Sequence, residues 1–505
     1  MSYEHVSCDF RTCVEREFPA LARKVYLDSA CIGVAPVRAL RAVTELVQGM
    51  QYLAAESGTA AHGRLNDLRA AARPLAARLI GARPSDIALV ESATHGLKIA
   101  VESLPLEAGD EVLFPDLEFI QMGVAWRQLK ERGVTARTVP HDASGAFSVD
   151  AVRDRLTPAV KVLALSSVQW TNGFRADLAA LSELCRQRGV WLVVDAAQHL
   201  GALPFSVRDT PVDILVCGGH KWLCSPFGTG FLYLAPRARP RLRRPVAGFF
   251  AAIPPAPTWG EAFLRTDLTP LRDYEFTEDA YAWETGGTGN YPGAVGLSAA
   301  LSLFLELRPQ RIESHVLTLT EHLLQGLDRL KLTVVGPRGV RHRSAIVTFS
   351  TGNPRADESL MRWLLAAGVA VSVRFVSGVG GVRVSCHLYN TPRDVDALLE
   401  AAEDWRRGSG EHASPPPARP SGRRRTTSQI VRQRALIDAL DDDLMGLVTA
   451  REGVSHGIRL SRQEGSLSRT DPAREREVIE RFHHRLGPDG TRLALELLRM
   501  CKGQT

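Results

Sequence analysis

The chain has 505 residues, of which 45% are hydrophobic and 23% charged, and a formal net charge of +6. This length exceeds a single compact core, so we expect two or three domains of an ordinary soluble globular protein. Much of the basic excess lies around residues 406–434, which argues against a nucleic-acid-binding protein. A nucleic-acid contact by these arginines ranks last among the alternatives.

The cysteines and the N-terminus bear on the compartment and on metals. None of the eight cysteines forms a Cys-x-x-Cys pair or groups with histidine, which argues against a metal site and predicts reduced thiols. The first residues lack a signal-peptide pattern, and no apolar run approaches the roughly 20 residues of a spanning helix. We therefore expect a cytoplasmic protein with no metal and no membrane partner.

Between about residues 20 and 235, continuous apolar runs alternate with helical patterns. Continuous apolarity is typical of strands covered on both faces, so we expect an α/β domain with a largely parallel sheet. The runs are residues 86–90, 111–114, 161–165, 191–194 and 214–216. Ligands of such sheets bind at the carboxyl ends of the strands, where Thr94, Phe119, Asp195 and Lys221 fall.

The rest of the chain divides by composition. Residues 240–280, rich in Pro, Arg and aromatics, predict an inserted loop, and residues 310–406 predict a smaller α+β part. Residues 407–428 are rich in Pro and Arg and predict a flexible linker. Residues 429–505 carry no strand signal and predict a separate helical domain.

Lys221 and Asp195 each follow a buried strand. A lysine and a carboxylate so placed suit pyridoxal phosphate: the lysine holds it as a Schiff base, and the carboxylate keeps the pyridine nitrogen protonated. Residues 92–94 (Ser-Ala-Thr) begin a helix, where N–H groups and a hydroxyl bind phosphate, and Phe119 can stack on the ring. Singly, each has an ordinary explanation, such as a threonine helix cap or a core aromatic.

Four segments together resemble the class V aminotransferase family, which includes cysteine desulfurases, isopenicillin N epimerase-like proteins and related lyases. They are residues 195–198 (Asp-Ala-Ala-Gln), 219–222 (Gly-His-Lys-Trp), 283–288 (Trp-Glu-Thr-Gly-Gly-Thr) and 382–390 (Val-Arg-Val-Ser-Cys-His-Leu-Tyr-Asn). The resemblance covers residues 18–406. It implies a homodimer of the aspartate-aminotransferase-like fold, with a large mixed-sheet domain, a small α+β domain and active sites at the subunit interface.

The resemblance also implies individual roles. Lys221 would carry the cofactor and move protons, Asp195 would pair with the ring nitrogen, and Gln198 would approach the phenolic oxygen. Arg374 and Arg383 would bind the substrate carboxylate, which suits the guanidinium fork. The remaining cofactor contacts would come from Ala93, Thr94 and His220, and also from Thr288 of the partner subunit.

Three departures from the desulfurase pattern bear on the reaction. Gly218 replaces a phosphate-binding serine, and Trp170 replaces an asparagine on the substrate side. The segment between Arg374 and Arg383 contains no cysteine. Without a thiolate there to take sulfur as a persulfide, desulfuration by the usual route is not expected.

In the tail, apolar residues spaced by seven predict a long amphipathic helix. Arg451 occupies this track between Leu444 and Ile458, and an arginine on a buried seam is costly unless it meets an anion or a carboxylate. Arg462 returns to the same face, and Asp471 precedes a second helix. A solvated charged helix would explain the neighbouring arginines but not Arg451.

The tail resembles the all-helical chorismate mutases in residues 437–441 and in its ordered arginines, which implies an intertwined helical dimer. The carboxylates and ether oxygen of chorismate would then be bound by Arg451, Arg462 and Arg474, and also by Arg434 of the partner subunit. Glu475 would face its hydroxyl, and Asp471 would contribute to substrate binding. Such catalysis holds a compact conformer and stabilises developing charge.

The sequence thus predicts a bifunctional enzyme of aromatic specialised metabolism, in which transamination by the first domain is coupled to a chorismate-to-prephenate type rearrangement. One alternative is a C–S lyase or epimerase acting on an unrelated amino acid. The tail would then serve in dimerisation or ligand sensing.

Overall fold

A computed structural model describes residues 9–55, 57–245, 248–284, 287–408, 441, 444–449, 451–455, 458 and 471–502. The chain divides into two compact units, residues 1–421 and 422–505. In the described part, no helix is long and apolar enough to span a membrane.

The first unit is built on a seven-stranded mixed sheet. Its strands are β2 (Ile87–Val90), β3 (Glu111–Pro115), β4 (Thr135–Val139), β5 (Val160–Ser166), β6 (Trp191–Asp195), β7 (Ile214–Gly218) and β8 (Gly230–Leu234). Their order is β2-β8-β7-β6-β5-β3-β4, and only β8 runs antiparallel to its neighbours. Each predicted run forms a strand, and β2, β7 and β8 are buried throughout. The predicted mixed-sheet α/β fold is confirmed.

Along the chain, helices precede, connect and follow the strands of this sheet. They are α1 (Phe10–Glu17), α2 (Val37–Gly49), α3 (Gly58–Ala70), α4 (Ala72–Ile80), α5 (Ala93–Ser103), α6 (Ile120–Arg127), α7 (Val149–Arg153), α8 (Leu178–Arg188), α9 (Trp259–Ala262) and α10 (Tyr291–Leu307). The predicted inserted loop, residues 240–280, contains α9 and short 3-10 turns.

A second, antiparallel sheet has its own apolar core. It is formed by β9 (Thr333–Val335), β10 (Ile346–Ser350), β12 (Ser372–Val376) and β13 (Val379–Ser385), in the order β12-β13-β10-β9. The helices here are α11 (Pro309–Arg329), α12 (Pro354–Ala366) and α13 (Pro392–Arg407). Nearby, β1 (Val25–Tyr26) pairs in parallel with β11 (Val369–Ala370). This pairing brings the N-terminal segment to the small sheet.

Apart from Asp471, the described residues of the second unit are helical, as the tail pattern predicts. Residues 444–449 and 451–455 are helical, and α14 spans Pro472–Lys502, with a break at Gly487, where φ is 64°. The Asp471 carboxylate accepts a hydrogen bond from the Arg474 N–H at 3.2 Å, so it caps α14. Arg434, Arg462 and the predicted linker beyond residue 408 lie outside the described residues.

Candidate active site

Asp195 and Lys221 lie at the carboxyl end of the large sheet. Asp195 ends β6 and pairs in register with Ser166 on β5. Lys221 follows β7 in a tight turn, in which its carbonyl accepts from the Cys224 N–H at 3.1 Å. The sheet therefore brings together the two groups that the sequence places at strand ends.

The pKa values of Asp195 and Lys221 are shifted in opposite directions. Burial raises the pKa of Asp195, although the Ala197 N–H, 2.8 Å from its carboxylate, and the Lys221 charge oppose that shift. Burial also lowers the pKa of Lys221; the Asp195 carboxylate opposes this, and the Arg383 guanidinium adds to it. The neutral, nucleophilic form of the Lys221 amine is therefore favoured more than in a free lysine.

The start of α5 forms a cradle for an anion. Ser92, not Thr94, is the helix cap, since its hydroxyl accepts from the His95 N–H at 3.1 Å. Thr94 is exposed in the first turn. A Cβ on Gly218 would lie 3.4 Å from the Ala93 nitrogen, so this position faces the helix start. Such a cradle fits a phosphate.

An aromatic ring lies over the lysine. The Phe119 centroid is 5.7 Å from Lys221 Nζ, and Phe119 is 44% exposed. Its ring meets Trp170 edge-on, with centroids 5.3 Å apart. The exposed part of the Phe119 ring could stack on a planar ligand.

Glu118 links the loop that carries Phe119 to the loop that carries Trp170 by hydrogen bonds. Its buried carboxylate accepts from the Ser166 N–H at 2.6 Å and from Gln169 Nε2 at 2.8 Å. Burial raises the pKa of Glu118 to about 7, against the effect of these hydrogen bonds. Sequence reasoning missed Glu118, although a carboxylate beside Phe119 after a buried strand was a usable signal.

Gln198 contacts protein groups in this structure. Its amide nitrogen donates to the Ala30 carbonyl at 3.0 Å, and its oxygen accepts from the Trp222 indole at 2.6 Å. An amide has two N–H groups, so the predicted contact with a cofactor oxygen can use only the second. His220 stacks on Phe227 at 5.6 Å, and Thr288 is exposed.

Arg374 and Arg383 lie on one face of the small sheet. The register pairs Arg383 with Ser372 and Arg374 with Gly381, so both guanidiniums project from the same side. Arg383 donates to Asp28 Oδ1 at 3.1 Å and to the Trp170 carbonyl at 3.0 Å. Its Nε is buried without a hydrogen-bond partner. This orphan donor fits a ligand carboxylate.

The segment between these arginines is a closed β-hairpin. Val376 pairs with Val379, and the two tip residues, Ser377 and Gly378, have φ of 49° and 81°. The Ser377 hydroxyl donates to the Asp116 carbonyl at 2.8 Å. Positive φ at both positions is typical of a two-residue hairpin turn. The tip is therefore short, attached to the Phe119 loop, and without a thiol.

Sequence reasoning also missed Asp28 and Cys31. Asp28 pairs with Arg383, and Cys31 Sγ lies 3.8 Å from Arg374 Nη2. Asp28 follows a short apolar run, a signal like that of Asp195. Nothing local identifies Cys31, because its partner is 343 positions away.

In the second unit, Arg451 donates to the Leu497 carbonyl at 3.1 Å and contacts Cys501 Sγ at 2.7 Å. Arg474 is exposed and pairs with Glu477 at 2.7 Å. Glu475 is partly exposed, and Asp471 caps α14. Within the described ranges, no three His, Cys, Asp or Glu side chains are grouped to hold a metal.

The lysine, the partly buried carboxylate, the anion cradle and the exposed aromatic ring together fit pyridoxal phosphate. The fold and this site define a pyridoxal-phosphate-dependent enzyme. The family described as aminotransferase class-V matches residues 25–398. The chain belongs to that family.

Relatives agree with this assignment, and a solved structure has a similar fold. A probable cysteine desulfurase of Methanothermobacter thermautotrophicus is 26% identical over 411 residues, covering 77% of this chain and 97% of that protein. The isopenicillin N epimerase of Streptomyces clavuligerus is 29% identical over 343 residues, covering 66% and 83%. A structure of a C-DES lysine mutant, with glycine covalently linked to its PLP cofactor, has a TM-score of 0.69 at 23% identity, covering 77% and 99%.

Proposed function

We propose that the first unit is a C–S lyase, which cleaves a carbon–sulfur bond in a small amino acid and releases the sulfur product. The closed hairpin between Arg374 and Arg383 carries this proposal. Its two-residue tip is attached to the Asp116 carbonyl and offers no thiol. Sulfur leaving the substrate therefore has no acceptor on that segment.

The relatives support chemistry at a carbon–sulfur bond more than transamination. The proteins named probable cysteine desulfurase align over nearly their full length, and the epimerase shows that other reactions occur among relatives. Transamination, the first expectation from the sequence, thus becomes the less supported alternative.

The residues have separate tasks in this proposal. Bound pyridoxal phosphate would be held by Lys221, Asp195 and the start of α5, and it supplies an electron sink for the substrate carbons. Arg383 binds the substrate carboxylate through its orphan Nε. Lys221 acts as the base, since burial lowers its pKa and so favours the neutral amine that accepts a proton.

Product analysis tests the proposal. The intact chain is incubated with L-cysteine, beside Lys221→Ala, and sulfide, pyruvate and alanine are measured. We expect pyruvate and a sulfur product from the unmutated chain only. Amino transfer to a keto acid without sulfur release would instead indicate a transaminase, and α-proton exchange alone would indicate an epimerase.

We also propose that the first unit forms a homodimer, with Thr288 of the partner subunit reaching the phosphate. Apolar side chains on α2 support this, since Val37, Leu40 and Val47 are 44%, 53% and 49% exposed. Exposed apolar patches are typical of interaction surfaces. Sedimentation as a monomer would contradict the proposal.

For the tail, a chorismate-binding or mutase-like module stays our second candidate. The observation that favours it is the position of Arg451, which is partly buried and contacts the last turns of α14. Its remaining donors suit an anion. Prephenate formed from chorismate by the intact chain, and not by Arg451→Ala, is the expected result; unchanged chorismate would reduce the tail to an assembly or sensing module.

A further inference from the structure

A loop, residues 28–33, connects the arginine pair with the lysine. At one end, Asp28 Oδ1 accepts from Arg383 Nη2 at 3.1 Å. At the other end, the Gly33 N–H donates to the His220 carbonyl at 2.8 Å. Gly33 packs so closely on the Lys221 backbone that a Cβ there would lie 1.9 Å from the Lys221 carbonyl oxygen. Residues between these anchors therefore lie on the substrate side of the site.

Cys31 lies in the middle of this loop. Its Sγ is 3.8 Å from Arg374 Nη2, and it interacts electrostatically with Lys221 and Arg383. Cys31 is partly exposed, whereas the other cysteines that the structure describes are all buried. A partly exposed thiol among cations is the environment in which cysteines react.

The arginines add a second, independent feature. Arg383 has a side chain only 2% exposed, and its Nε is buried without a partner. Arg374 projects from the same sheet face, and among the described residues no carboxylate lies within ion-pair distance of it. A buried, unsatisfied guanidinium N–H beside an unpaired guanidinium is suited to an anionic group, above all a carboxylate.

We propose that Cys31 is a covalent binding site for carboxylate-bearing disulfides, of which cystine is the simplest. The Cys31 sulfur bonds to one sulfur of the disulfide, the S–S bond breaks, and the other half leaves as a thiol with the proton that Cys31 gives up. The disulfide is the oxidant, so atoms and electrons balance without another reactant. The arginine pair holds the carboxylate of the half that stays.

This modification controls access to the site. The bound half-disulfide occupies the space between the arginine pair and Lys221, so it excludes an amino-acid substrate. A small reducing thiol removes it by the reverse exchange. The exchange needs neither the Lys221 amine nor the cofactor, and it therefore goes beyond the proposed lyase function.

The full-length chain tests the proposal directly. It is freed of small thiols and incubated with L-cystine or with cystamine, the disulfide that lacks the carboxylates. Peptide mass mapping then follows adduct formation at each cysteine. We expect one half-cystine on Cys31 and reaction at least about tenfold faster with cystine than with cystamine, since a hydrogen bond to a charged group is worth that factor or more.

Three variants make the outcome specific. Cys31→Ser should abolish the adduct, and Arg374→Gln should remove most of the preference for cystine over cystamine, a ratio in which any change in the reactivity of the thiol cancels. Lys221→Ala should still form the adduct although it cannot act as a lyase, so the two proposals fail separately. Equal rates for both disulfides, or an adduct mainly on another cysteine, would overturn the assignment of Cys31.

Discussion

The Cα of Gly218 faces the first backbone N–H of α5: a Cβ on Gly218 would lie 3.4 Å from the Ala93 nitrogen and 3.5 Å from His220 Nδ1. Both distances are ordinary van der Waals contacts. The site therefore has room for the serine hydroxyl that the desulfurase pattern carries at this position.

Gly218→Ser should be tolerated and should tighten cofactor binding. A new hydroxyl beside the anion cradle adds one hydrogen bond, worth about 1 kcal/mol, or about fivefold in the dissociation constant. Equilibrium dialysis of pyridoxal phosphate measures the change. Gly219→Ser is the matched control, because its Cβ would lie 2.9 Å from the Ser225 side chain and 3.1 Å from the Thr229 carbonyl; it should unfold more readily. Weaker cofactor binding by Gly218→Ser would contradict the assigned cradle.

The attachment of pyridoxal phosphate to Lys221 should depend on pH in a defined direction. Burial lowers the pKa of Lys221 from 10.5, and only the neutral amine reacts, so the rate should rise with pH through a midpoint below that of a free lysine. The Asp195 charge raises this pKa, so Asp195→Asn should move the midpoint further down. Rapid-mixing absorbance of the cofactor-free chain measures it, and an upward shift in Asp195→Asn would refute the coupling.

Phe119→Ala should weaken cofactor retention without changing the fold. The Phe119 ring lies beside Lys221 and is partly exposed, and aromatic stacking contributes about 1 kcal/mol beyond area burial, or about fivefold in dissociation rate. Phe119→Tyr keeps the ring and should behave like the unmutated chain. The loss of bound cofactor over time, followed by absorbance after gel filtration, separates the two variants. Identical retention by all three chains would show that Phe119 does not stack.

Glu284→Ala should lower the free energy of unfolding by about 3 kcal/mol. The buried Glu284 carboxylate pairs with Arg69 and Arg73 and accepts from the Leu89 N–H at 2.7 Å. Its loss leaves two partly buried cations and a strand N–H without their acceptor. Urea unfolding measures the difference. As a control, Glu183→Ala removes an exposed pair with Arg186 and should leave the urea midpoint unchanged.

Local sequence patterns predict five of the seven strands of the large sheet, the starts of α5 and α14, and the groups at the strand ends. Continuous apolar runs identify buried strands because both faces of a parallel sheet are covered by helices. Asp195 and Lys221 follow such runs directly, so their meeting at one sheet edge is a consequence of local pattern and strand order. Asp471 before a proline likewise predicts the start of α14.

Which distant groups meet on the substrate side depends on the packing of the two sheets and the loop at residues 28–33. Cys31 contacts Arg374 across 343 positions, and Asp28 pairs with Arg383 across 355. These contacts arise because β1 pairs with β11 and carries the following loop over the arginine face of β12 and β13. Local periodicity cannot encode such a contact, since it depends on how two sheets and a loop pack once all strands are in place.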